Sequence, residues 1–124
     1  MKVRGLRGAT SVEENTESAI SFATRELMDT IIRENELDVD DVASILFTMT
    51  PDLTAAFPAK AVRSRPGWQW VPLMCATELN IDGSQPKCIR LLLHINTEKE
   101  QSELHHIYLR DAVHLRPDLV KSSG

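Results

Sequence analysis

Cysteine is scarce in this 124-residue chain, aromatic residues make up only 5% of it, and positive charge is in the minority. Each shortage excludes something. The two cysteines, Cys75 and Cys88, form no CxxC and have no histidine near them at zinc-site spacing. Both read as free, reduced thiols, and no metal is expected. A net charge of -4, with no basic run and no interleaving of basic and aromatic residues, argues against a nucleic-acid surface. No apolar run approaches the ~20 residues that a membrane span needs. The opening MKVRGLRG lacks the apolar core of a secretory signal, so the cytoplasm is the expected setting. The length suits one domain over residues 1–124, with about 117–124 expected as a flexible tail.

Most of the chemistry that is present falls in one stretch, VPLMCATELNIDGSQPKCIRLLLHI, from Val71 to Ile95. It reads as two strand-like segments joined by a turn region containing Gly83 and Pro86. Alternation along the second segment places Ile89, Leu91, Leu93 and Ile95 on one face, and Cys88, Arg90, Leu92 and His94 on the other. The first is a plain aliphatic core face. The second sets Arg90 among apolar neighbours. A guanidinium cannot shed its charge, and burying it unpaired costs on the order of several kcal/mol. Arg90 therefore needs an anion: Glu78 on the preceding segment, a ligand, or both. The plainer alternative is an edge strand from which Arg90 reaches water.

In chain order, Val3 to Val12 reads as an opening strand in which Gly5 and Gly8 mark a bulge or a close backbone approach. Arg4 and Arg7 point to opposite faces, with Arg7 the better candidate for a functional charge. Asn15 or Thr16 can cap a long helix, with Glu17 at the positive end of its dipole. Its apolar stripe is Ile20, Ala23, Leu27, Ile31 and Ile32, it ends near Asn35, and no chemistry is assigned to it. Asp38 opens an acidic capping turn before a second strand, Val42 to Met49. That strand carries apolar groups on both faces, as a central strand does. Thr50-Pro51-Asp52 stops it. A helix is expected within Leu53–Arg65, starting near Phe57-Pro58, with Lys60 and Arg63 on one side, by themselves a solvated face. Trp68 and Trp70 are expected to start a third strand, packing on one face. His105 and His106 diverge in an extended chain and read as surface. His106 to Leu109 forms a last strand carrying Tyr108, and Arg116-Pro117 ends any helix in the tail.

These elements make an α+β chain: a mixed sheet of about five strands, one long helix and one or two short ones. The long helix covers one sheet face. The other keeps Cys88, Leu92 and Arg90 with nothing to cover it, which implies an oligomer.

RGLRGAT, TPDLTAAFPAKAVR, GWQWVPLMCATE, KCIRLLLH, HIYLRDAV and LRPDL, in this order and spacing, resemble the small barrel-type, monofunctional bacterial chorismate mutase from about Val3 to Leu119. The resemblance implies a homotrimer whose sheets form a pseudo α/β barrel, with three active sites at the subunit interfaces and no cofactor. The implied reaction is the Claisen rearrangement of chorismate to prephenate, feeding phenylalanine and tyrosine synthesis. By the family pattern the catalytic residues are Arg90, Glu78 and Arg7. Arg90 faces the ether oxygen and one carboxylate, while Glu78 accepts from the ring hydroxyl. Arg7 and Tyr108 hold a carboxylate. Met74, Cys75 and Ala76 line the pocket, through backbone and the Cys75 side chain, with Thr77 beside them. Phe57 supplies an apolar wall, and Lys60 and Arg63 add positive field from a neighbouring subunit. Leu115 and Arg116 belong to a tail that closes over the site. Two rival readings share the architecture: a trimeric enamine/imine deaminase, and a non-catalytic sensor of a small carboxylate.

Overall fold

The first ten-residue run of strand formers, Lys2–Ser11, is β1. Val42–Met49 is β2, Leu73–Thr77 is β3, Cys88–Thr97 is β4 and Ile107–Tyr108 is β5. In the computed structural model, which describes residues 1–115, they form one mixed sheet in the order β3-β2-β4-β1-β5. β4 runs antiparallel to both β1 and β2, while β3 joins β2 and β5 joins β1 in parallel. Arg90 thus lies on the middle strand, and the edge-strand alternative is excluded. Register aligns one row across the sheet: Ala76, Thr48, Arg90, Ala9 and Tyr108. The adjoining row is Met74, Leu46, Leu92 and Arg7.

The opposite face is the core. α1 (Glu17–Asn35) lies on it, starting where the Thr16 hydroxyl accepts from the Ala19 N–H at 3.2 Å and stopping at Glu36, whose φ is 50°. Ile20, Ala23, Leu27, Met28 and Ile31 are buried, packed with Leu6, Ile89, Leu91 and Leu93. Ile32 is only half-buried, so Met28 rather than Ile32 completes the stripe. Burial of each large aliphatic side chain contributes about 1.5–3 kcal/mol. Gly8 permits this packing. A Cβ there would meet the Ile31 Cδ1 at 2.5 Å and the Leu27 Cδ1 at 3.3 Å. Among the described residues no helix is long and apolar enough to cross a membrane.

Several expectations need correcting. Trp68–Trp70 is a 3-10 turn, not the start of a strand, and its tryptophans diverge: Trp68 is buried and Trp70 is 82% exposed. Gly67, at φ 86°, turns the chain there. With about three residues per turn, side chains two apart cannot share a face as they do in a strand. The second helix, α2, is where it was expected, at Ala59–Arg63 just after Pro58. Asn15 is no cap. Its side-chain oxygen accepts from the N–H groups of Thr54 and Ala55 at 2.9 and 3.0 Å, tying down the chain before Phe57. The two histidines are half-buried rather than plain surface residues: His106 Nδ1 accepts from the Arg7 N–H at 3.0 Å. Cys88 is covered by its own chain. The apolar groups left open on that sheet face are Val3, Leu46 and Met74, at 60%, 37% and 72% exposure. Arg116 and the tail expected at 117–124 lie outside the described residues.

Candidate active site

Glu78 leaves the end of β3 with its N–H bonded to the Met49 carbonyl at 2.8 Å, which fixes it beside β2. Its Oε1 accepts from the Thr48 hydroxyl at 2.5 Å and lies 3.2 Å from Arg90 Nε. The approach to Arg90 is an ion pair rather than a directed hydrogen bond: Nε is buried yet has no correctly angled acceptor. The Arg90 side chain is 41% exposed, so this pair contributes at most about 1 kcal/mol to stability. It orients the guanidinium more than it anchors the fold.

In front of Arg90 is a cavity of about 270 Å³ lined by Arg7, Thr48, Arg90, Tyr108 and Leu115, with Leu46 and Leu92 as apolar walls. Among the described residues two arginines line it, and Glu78, paired to Arg90, is not in its lining. Such a cavity attracts a small anion. The row register explains the convergence, since Thr48 and Arg90 are neighbours in one row, Tyr108 follows in that row across the small Ala9, and Arg7 is one row away.

The remaining expected residues lie elsewhere on the chain. Phe57, Cys75, Ala76 and Thr77 line a separate cavity of about 330 Å³ with Met49 and Thr54. Burial pushes the Cys75 thiol up, against the opposing pull of the Ala59 backbone and the Arg63 charge. Lys60 and Arg63 are exposed on α2, and Lys60 pairs with Glu17 at 3.2 Å. Met74 points outward on β3. Within one chain, then, the expected set divides in two, and Arg116 falls outside the described residues. Thr48 and Leu46 are lining residues that the sequence did not single out. Thr48 is the polar member of an otherwise apolar stretch of β2, but only its pairing with Arg90 reveals the role.

Residues 3–119 match the family model described as chorismate mutase type I. The chain belongs to the chorismate mutase type I family. It is 47% identical over 119 residues to the chorismate mutase AroH of Bacillus subtilis (strain 168), covering 96% of this chain and 94% of that protein. Against the chorismate mutase AroH of Thermus thermophilus it is 48% identical over 118 residues, covering 94% of this chain and 96% of the relative. A solved chorismate mutase from Clostridium thermocellum superposes with a TM-score of 0.84 at 44% identity, over 87% of this chain and 96% of the other. This chorismate mutase is accordingly an isomerase of aromatic amino acid biosynthesis, converting chorismate to prephenate. The deaminase and sensor readings find no support in these relatives.

Proposed function

We propose that this chorismate mutase accelerates the rearrangement by fixed charge alone, at sites completed by neighbouring copies in a homotrimer. The reaction is pericyclic: one C–O bond breaks and one C–C bond forms within a single molecule, with no proton moved and no nucleophile consumed. Negative charge grows on the ether oxygen as its bond to carbon breaks. A cation held there interacts more strongly with the transition state than with the ground state, and only that difference raises kcat. Arg90 carries that role. Glu78 accepts from the ring hydroxyl and balances charge on the carbon skeleton, and Arg7 and Tyr108 hold a substrate carboxylate. The mechanism needs no cofactor, and the proposed setting is the cytoplasm.

The observation that carries the reading is the cavity in which Arg90, turned by Glu78, meets Arg7 and Tyr108. The trimer draws support from the second group of residues. Phe57, Lys60, Arg63 and Cys75 lie outside that cavity on their own chain, and a neighbouring copy can bring them to it. Open apolar groups on the Arg90 face, Leu46 and Met74 among them, favour the same assembly.

Replacing Arg90 by citrulline tests the central role, since it keeps the shape and most donors while removing the charge. The expected result is an intact assembly with kcat lower by ~10²–10³, the scale of losing one oxyanion donor. A rise in KM with kcat preserved reduces Arg90 to a binding group.

A further inference from the structure

β5 hands the chain to the 3-10 turn Arg110–His114, and Leu115 at the end of that turn lines the cavity of Arg7 and Arg90. The junction is Arg110, whose φ of 53° lies in the left-handed region. A residue with a Cβ holds that conformation only where its surroundings over-determine it. Its side chain is held on three sides. Nε lies 3.2 Å from Glu26 Oε1 on α1, and Nη1 lies 3.2 Å from Glu13 Oε1 in the link between β1 and α1. The guanidinium also stacks 5.8 Å from the centroid of Phe22 on α1. Backbone bonds flank the junction: the Leu109 N–H donates to the Ala9 carbonyl at 2.9 Å, and the Asp111 N–H to the Ser11 hydroxyl at 3.2 Å. A planar fork can hold two carboxylates in different directions at once, which a lysine ammonium on a flexible stem does poorly. None of Arg110, Glu13, Glu26 and Phe22 lines the cavity itself.

From this geometry we infer that Arg110 is a positioning residue for substrate binding. It ties the 3-10 turn to α1, so that Leu115 arrives at the cavity and Tyr108, two residues upstream, keeps its place beside Ala9. The clamp acts on how firmly chorismate is held and leaves the bond-breaking step alone. This rests on the proposed contact of Leu115 and Tyr108 with the substrate.

The test compares Arg110→Gly, Arg110→Lys and Leu115→Ala in the full-length assembled enzyme, by steady-state kinetics with chorismate and by hydrogen exchange over residues 109–115. Glycine is the informative replacement, because it removes the clamp while easing the left-handed turn. The backbone conformation is therefore not penalised at that position. Arg110→Gly is expected to raise KM about five- to tenfold with kcat within about twofold, and to speed exchange over 109–115 but not in β4. Arg110→Lys is expected to fall between Arg110→Gly and the parent. Leu115→Ala is expected to raise KM as well. Unchanged KM in Arg110→Gly beside a raised KM in Leu115→Ala overturns the clamp alone. Unchanged KM in Leu115→Ala overturns the substrate contact beneath it, and the clamp with it. A fall in kcat at constant KM in Arg110→Gly also overturns it.

Discussion

At the scale of single residues, the two thiols differ more than their shared description as free cysteines implied. Cys75 lines a cavity and is half-buried, whereas Cys88, the first residue of β4, is buried with its N–H donating to the Thr50 hydroxyl at 3.0 Å. Burial raises the Cys88 thiol from 9.0 to about 11, against the lowering field of Arg90. A raised folded-state value means that the folded chain holds the proton more tightly than the unfolded chain. The resulting stability is complete below about pH 9 and is lost as pH rises toward 11. Urea unfolding at pH 8 and pH 10.5 should therefore show the parent losing on the order of 1–2 kcal/mol more than Cys88→Ala across that step. Equal losses in both proteins show that the thiol ionises freely in the folded state. Thr48 makes a related point. Its hydroxyl donates to the same Glu78 oxygen that faces Arg90, so one carboxylate is oriented by two neighbours on adjacent strands.

At the scale of elements, the sheet and α1 meet through a glycine. Gly8 pairs with Leu91 on the core face, directly under Ile31 and Leu27. A methyl group there must push back the ends of two side chains in a filled core, and overpacking of this kind costs about 1–3 kcal/mol. Gly8→Ala should lower the urea midpoint accordingly. Gly5→Ala, whose Cβ would meet only the Leu92 Cδ1 at an ordinary 3.6 Å, should change it far less. Equal effects at the two positions indicate a backbone-entropy term common to both, not the helix contact. The long helix and β4 were readable because burial follows their periods of 3.6 and 2 over many residues, and β2 because a run apolar on both faces stops at Thr50-Pro51-Asp52. α2 was placed by its proline, starting just after Pro58, but the Trp68–Trp70 turn was not readable. In three residues a period cannot be told from chance, and the turn is set by Gly67.

At the scale of the whole molecule, the proposed trimer makes a quantitative claim. If each site takes Arg90 from one copy and Lys60 with Arg63 from its neighbour, two differently inactivated chains can complement. Co-expression of Arg90→Ala with the Lys60→Ala, Arg63→Ala double variant in equal amounts should restore about a quarter of the parent activity. That is the chance that a given interface of a randomly mixed cyclic trimer joins both intact halves. No recovery, in mixed trimers verified by mass, places all of these residues in one chain's site and removes the shared-interface reading.

Alternation along 88–97 was enough to say which side of β4 holds the core and that Arg90 stands on the other, because side-chain direction in a strand is a local property of the backbone. The capping of α1 at Thr16 and the stop after Met49 are local in the same sense. The demand that Arg90 find an anion also followed from the residue alone, since its charge cannot be removed. Which groups meet it is decided at long range. Thr48, Ala9 and Tyr108 reach Arg90 only through strand register, and register is settled by packing the buried face as a unit against α1. The clamp on Arg110 likewise joins residues 84 and 97 positions apart. No local pattern encodes such a meeting, because its energy exists only once the sheet and α1 are packed together.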